Sequence, residues 1–465
     1  MKILLVDDDV AGLFSLKELV EIDGFFKVDT ASTFDEAIHL LEGNLYECII
    51  TDIFLDRNTG YDVLKYAKGK NPIVPVIGMT GFNEIVDFRD EFDAVFLKPY
   101  PFRELLDKAH DLVKRRHFVQ IISTEEDLKG LDTFFNNLFD YNIYTTEEYV
   151  DKIRSFLHDK LYNYRGVILP GIISGSEVLR EGAMIVRHSK SAEISILNLD
   201  DPKNFENSHK RAFMCFYDHN CNINKLEDVL KTVESKYFYG VGCGYKGDKN
   251  NAPAIFDKNG FHKNSALVLQ LDRKFENFHY LGFEPAYGPL RLKFDNGLLA
   301  EINGENPYDF YLEVVKGMES EPFLEHKSFG IHYPLGLLDG DTGHFTLKIL
   351  ERFRGKGWEI ALKGGIFSGS SLGYIFQHKK RKQLFDDLLK RFKARINVGN
   401  VLVSYPFDAY EEFGKDHFRE FMEIILKHLP REAVMGFISR GFFSSELAKC
   451  KNAVSHLGLL VGNVE

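Results

Sequence analysis

The first 118 residues alternate between short apolar runs and amphipathic stretches, and few folds can absorb that alternation. The apolar runs KILLV (2–6), KVDTA (27–31), YECIIT (46–51), PVIGM (75–79) and AVFLK (94–98) suit buried strands. Between and after them, residues 11–22, 34–42, 61–68, 84–92 and 102–116 carry helical periodicity. Strands that alternate with helices predict an α/β domain, a doubly wound five-stranded parallel sheet covered on both faces. In such sheets ligands collect at the carboxyl ends of the strands.

Those ends carry chemistry. Asp7 and Asp8 follow the first run, Asp52 closes the third, Thr80 the fourth and Lys98 the fifth. The topology predicts that three carboxylates, a hydroxyl and an ammonium share one pocket. Carboxylates held close repel one another and raise each other's pKa. A hard divalent cation resolves the conflict, and Mg²⁺ takes oxygen ligands while keeping several waters. Asp7, Asp8, Asp52 and the backbone carbonyl of Phe54 form the expected metal set. Phosphoryl transfer depends mainly on positioning and charge neutralisation. Asp52 is then the carboxylate nucleophile and phosphoacceptor, with Lys98 and Thr80 stabilising phosphoryl oxygens. The simpler role of an aspartate at a strand end is to cap a helix, and for Asp9 that reading is preferred.

The stretches ILLVDDD, IITDIFLD, NTGYDVL, MTG and FLKPYPF make residues 1–118 resemble a response-regulator receiver domain, flavodoxin-like in fold. The resemblance implies phosphorylation by a histidine kinase, Mg²⁺ as cofactor, slow self-dephosphorylation and a homodimer through the receiver as one assembly. The sequence departs from the family at Val95, where a switching aromatic residue is usual. Phe96 is adjacent, but alternation points it to the other face. Phe54 and Phe82 each stand two residues after a site residue, so both are expected to shield the acyl phosphate and prolong its life.

Beyond residue 118 the runs lengthen and Gly-rich turns multiply. Strands are expected in FVQIIS, RGVILPGIISG, AEISILNL, RAFMCFY, YFYGVGCGYKGD, SALVLQL, FHYLGFEPAYG, LRLKFD and LLAEING, then in IHYPLGLL, WEIALKGG, VLVSY and VMGFIS. Helices are expected at 125–139, 146–161, 224–236, 371–393 and 411–429. The expected division is 1–118, 119–317 and 318–465, the last two forming a large mixed α+β body. Gly242-Cys243-Gly244-Tyr245-Lys246-Gly247 has the spacing of a dinucleotide loop, but DKNNAPAIF follows where a helix is needed to hold a pyrophosphate. Cys243 there is a candidate nucleophile without an assignable base. GGIFSGSSLG (364–373) reads as a turn entering a helix, where a plain cap competes with an anion site.

PGIISGSEVLREG, YFYGVGCGYKGDKN, LGFEPAYGPLRLKFDNGLLAEINGENPYDFYLEVV and VMGFISRGFFSS make residues from about 120 onward resemble a FIST module, with its N- and C-terminal parts in order. The resemblance implies sensing of a small ligand such as an amino acid. Glu177, Gly242, Gly244 and Tyr245 are the ligand-site candidates, and Pro307 and Tyr311 match the family pattern. Asn303, Tyr405-Pro406-Phe407 and Phe442 depart from it. The expected function is a response regulator that couples Asp52 phosphorylation to ligand sensing, and not an enzyme beyond its own phosphoryl chemistry. A receiver-gated enzyme built around Cys243, or a protein-binding scaffold, are the alternatives.

Charge and cysteine usage narrow the setting. Residues 1–116 hold 22 acidic and 14 basic side chains, so most of the net charge of -11 lies there. The one dense basic run, His378–Lys382, opens a helical pattern and reads as a solvated face. No basic face or helix-turn-helix pattern points to nucleic acid. Five cysteines without C-x-x-C spacing predict neither disulfides nor zinc and suit a reducing cytoplasm. MKILLVDDD is no signal peptide, and no apolar run has the ~18 residues of a membrane span.

Overall fold

The computed structural model describes the chain except residues 45, 71–73, 82–90, 116–117, 125–126, 129–130, 132–134, 136–138, 159, 161, 189–191, 203–211, 247–251, 272–274, 296–297, 319–329, 355–358, 363–368, 380–381, 397–399, 449, 451–453 and 465.

The N-terminal region follows the alternation. Strands β1 (Lys2–Val6), β2 (Lys27–Ala31), β3 (Cys48–Asp52), β4 (Val76–Thr80) and β5 (Ala94–Leu97) alternate with α1 (Val10–Ile22), α2 (Phe34–Gly43), α3 (Gly60–Lys70) and α4 (Phe102–Arg115). The helix expected at 84–92 lies almost wholly outside the described residues. All pairings are parallel and the strand order is β2-β1-β3-β4-β5. That is the flavodoxin-like order, with its ligand crevice where β1 and β3 diverge.

Two apolar layers sandwich the sheet because successive side chains leave opposite faces. Ile3, Leu5, Cys48 and Ile50 join Leu13, Leu16 and Val20 of α1 and Leu105 and Ala109 of α4. Leu4, Val6 and Ile49 join Ala37 and Val63 of α2 and α3. Val95 packs in the second layer and Phe96 in the first, the opposition expected from alternation. Asp9 caps α1, its Oδ1 accepting from the Gly12 N–H at 3.1 Å. Thr33 caps α2 in the same way. Each cap satisfies an amide that the helix cannot pair internally.

The remaining described residues build four further sheets of five to seven strands. Ala212–Asp218 and Tyr237–Cys243 run parallel at the centre of one, flanked by Ser265–Leu271 and Phe442–Ser444. Phe118–Ile122, Asp140–Thr146, Asn163–Leu169 and Ala183–His188 lie in a second. A third joins Gly171–Ser174 and Glu177–Leu179 to Asn277–Tyr280, Asn400–Pro406, Val434–Ser439 and Leu459–Val464. A fourth joins Phe283–Asp295 and Leu298–Ile302 to strands between 335 and 378. Segments on either side of residue 318 therefore share sheets and are interleaved.

Helices form at Val150–Leu157, Ile223–Thr232, Pro307–Met318, Lys382–Lys393 and Phe407–His428. Most of the helix expected at 125–139 falls outside the described residues. The helix expected at 371–393 is corrected: Gly369–His378 is a strand, and the helix begins only at Lys382. That strand pairs with both Phe283–Asp295 and Leu335–Leu338, so pairing on two sides overrides local helical pattern. The turn-to-helix reading of 364–373 fails with it, since 369–373 is strand and 364–368 lies outside the described residues. Among the described residues no helix is long and apolar enough to cross a membrane.

The interleaved body also buries a lysine. Lys348 ends the strand Phe345–Lys348 with no exposed surface, and its ammonium donates to the Val454 carbonyl. Burial, partly opposed by the Glu227 carboxylate, lowers its pKa to about 8.

Candidate functional site

The carboxyl ends of β1, β3, β4 and β5 bring together the residues singled out above. Oxygens of Asp7, Asp8 and Asp52 lie within 4.8 Å of one another. Lys98 Nζ donates to Asp7 Oδ2 at 2.7 Å and to Asp52 Oδ2 at 2.6 Å. Burial alone would lower the lysine's pKa, but its hydrogen bonds to the Asp52 and Asp7 carboxylates and their negative charge outweigh it and push the value well up. Lys98 is therefore a fixed positive charge.

Backbone amides hold the carboxylates. The Asp9 N–H donates to Asp7 Oδ1 at 3.0 Å, and the Phe54 N–H to Asp52 Oδ1 at 3.1 Å. Asp7 is buried, whereas Asp8 and Asp52 are half-buried and open toward the crevice. Thr80 is fully buried at the end of β4, and its carbonyl accepts from the Lys98 N–H at 2.6 Å. Phe54, whose N–H binds Asp52, is 47% exposed. Phe82 lies outside the described residues.

Three residues at the site were not anticipated. Asp56 hydrogen-bonds Asp8; burial first, then this contact, raises the Asp8 pKa. Its only signal was one more acid four residues after Asp52. Tyr100 follows the cis Lys98–Pro99 bond, and its hydroxyl meets Met79 sulfur at 2.9 Å. Gly60 opens α3 where a Cβ would lie 2.2 Å from the Asp52 carbonyl oxygen. The signal for Gly60 was present in NTGYDVL.

Replacing Gly60 with alanine forces the β3 terminus to move. We expect Gly60→Ala to cost about 1–3 kcal/mol of receiver stability, as overpacking does. It should also weaken Mg²⁺-dependent beryllofluoride binding, because Asp52 moves with its backbone. Thermal unfolding and a beryllofluoride titration check both effects.

The donor set fits Mg²⁺: clustered hard carboxylate oxygens beside a crevice that admits water. Family comparison agrees with the geometry. Residues 3–110 match the family model "Response regulator receiver domain". This region is a response regulator receiver domain. The cell cycle response regulator CtrA of Brucella ovis is 30% identical over 138 residues, covering 28% of this chain and 59% of the relative. CtrA of Brucella abortus (strain 2308) gives the same figures. The chain thus spans 59% of the length of these relatives. Among solved structures, a receiver domain protein from Clostridium thermocellum is 29% identical with a TM-score of 0.23, covering 24% of this chain and 94% of that one. TrrA from Thermotoga maritima, solved with Mg(2+)-BeF, is 26% identical with a TM-score of 0.23, covering 24% and 97%.

The ligand-site candidates outside the receiver are placed differently. Glu177 is exposed at the start of its strand, in a different sheet from Gly242. At Gly242 a Cβ would meet the Arg440 carbonyl carbon at 3.0 Å, and at Gly244 the His219 ring at 2.2 Å. The protein's own groups therefore occupy the space beside both glycines. Tyr245 is buried and its carbonyl accepts from Arg440 Nε at 3.1 Å. The described residues after this strand lead to another strand, Ile255–Asp257. Cys243 is fully buried, and burial pushes its thiol well above the ordinary range.

Proposed function

We propose that the chain is a two-component response regulator in which a histidine kinase phosphorylates Asp52. The observation that carries this reading is the Lys98 ammonium bridging Asp7 and Asp52 beside the three-carboxylate cluster. An Asp52 carboxylate oxygen attacks the phosphorus of the kinase's phosphohistidine, an acyl phosphate forms as the P–N bond breaks, and the imidazole leaves with the bonding pair. Lys98 neutralises a phosphoryl oxygen, and the Thr80 hydroxyl donates to another. Asp7, Asp8, Asp52 and the Phe54 carbonyl hold Mg²⁺, which supplies charge neutralisation during transfer. Incorporation of phosphoryl from acetyl phosphate into the purified chain, mapped to position 52, tests the proposal. An unmodified protein in the presence of Mg²⁺ contradicts it.

Residues from about 120 onward act in this reading as a FIST-type module for a small ligand, without a nucleic-acid output. The interleaved sheets and the order of the family-like segments support treating it as one attached body. A thermal-shift panel of amino acids, with and without beryllofluoride, checks it. If none of them shifts the transition, the scaffold alternative gains.

Phe54, two residues beyond Asp52 and tied to its carboxylate through the backbone N–H, supports a long-lived phosphoryl state. Phe54→Ala should shorten the acyl-phosphate half-life severalfold by admitting water. Phosphate loss followed by intact mass decides this, and loss from the wild type within minutes contradicts it.

A further inference from the structure

The receiver meets the rest of the chain at the end of its sheet opposite the carboxylate pocket. Glu47 directly precedes β3, and its N–H donates to the Lys2 carbonyl at 2.8 Å, so it is anchored to the sheet. Its carboxylate receives both terminal nitrogens of Arg187, with Nη1 to Oε1 at 2.7 Å and Nη2 to Oε2. The two side chains are 7% and 2% exposed. Arg187 belongs to Ala183–His188 and pairs in register with Phe118, the first strand residue after α4. Its guanidinium also lies over the Phe139 ring, 4.6 Å from the centroid. Met1 packs against the large apolar core of the second body.

The receiver is thus held on one sheet edge twice, by the chain entering Phe118–Ile122 and by a buried ion pair to the neighbouring strand. A buried pair gives little net stability compared with apolar residues, because both ions lose water. It is intolerant of separation, however, since either charge left alone in the interior is strongly unfavourable. Such a contact specifies one docking geometry. The strand that Glu47 immediately precedes ends at Asp52.

We propose that Glu47–Arg187 is an interdomain latch through which the state of the aspartate pocket reaches the sheet containing Phe118–Ile122 and Ala183–His188. The transmission rests on Asp52 being the phosphoacceptor; the latch itself does not. β3 acts as the connecting rod. A change around Asp52 is relayed along five hydrogen-bonded residues to a contact that has one favourable arrangement.

Hydrogen exchange on the full chain tests this, with Mg²⁺ and beryllofluoride as the probe. In the wild type, beryllofluoride should change exchange in Ala183–His188 severalfold. Glu47→Gln and Arg187→Met should each speed exchange in Phe118–Ile122 and Ala183–His188 by about a hundredfold, as expected for a stranded buried charge. Each should abolish the beryllofluoride response there while the receiver still binds the probe. The apolar double variant Glu47→Leu/Arg187→Met should restore slow exchange, which separates a lost latch from failed folding. Unchanged exchange in both single variants overturns the latch, and so does a double variant no slower than the singles. A response in Ala183–His188 that survives Glu47→Gln overturns the transmission. If the wild-type receiver fails to bind beryllofluoride, the phosphoacceptor reading falls and takes transmission with it, and the exchange cycle still decides the latch.

Discussion

Asp52→Asn should take up no measurable phosphoryl group from acetyl phosphate, while the folded receiver persists. Asparagine keeps one oxygen to accept from the Phe54 N–H, and Lys98, though it loses its acceptor at the second oxygen, retains its bond to Asp7. What disappears is the anionic nucleophile, and an amide oxygen does not replace it. Asp7 is buried and engaged by Lys98 and the Asp9 amide, so it is poorly placed to substitute. Intact mass spectrometry with circular dichroism as a folding control measures both halves of the expectation. Uptake at the wild-type level in the variant would remove Asp52 from its assigned role.

The second large effect concerns Lys348 and the alkaline range. Its folded pKa of about 8 lies below the ordinary lysine value, so between about pH 8 and 10.5 the unfolded chain holds a proton that the folded chain has released. Folding stability then rises with pH through this window and is lost as pH falls back through 8. Each unit of displacement is worth ~1.36 kcal/mol, so the full span amounts to about 3 kcal/mol. In Lys348→Met this rise should vanish. The difference between wild type and variant in urea unfolding, followed from pH 7.5 to 10.5, isolates the group from the tyrosines common to both. A difference that stays flat across the window would show that Lys348 is not held near neutrality by burial.

The receiver was readable because each strand is a short apolar run with its polar residue at one defined end. Asp7, Asp52, Thr80 and Lys98 could be placed by counting to strand termini. Gly60 could have been found in NTGYDVL, but its need to touch the Asp52 carbonyl is a property of the fold. The strand Gly369–His378 was missed because its neighbours lie far away in sequence, while the basic helix beside it gives a strong local signal. Arg187 and Glu47 carry no local signal at all, being 140 positions apart and joined only by packing. The candidates around Gly242 illustrate the opposite error. Glycines there suggested an open cleft, and they make room for His219 and the Arg440 backbone instead.

The sharing of sheets across residue 318 bears on how the chain matures. Leu459–Val464 lies between Asn400–Pro406 and Asn277–Tyr280, so its sheet stays incomplete until the chain has been synthesised past residue 464. Contacts of such long separation form slowly. The receiver, whose pairings span few residues, can be finished on the ribosome long before that. It would then wait as a structured lobe beside unpaired strand edges, which are open to pairing with one another or with a second copy until the last strand arrives.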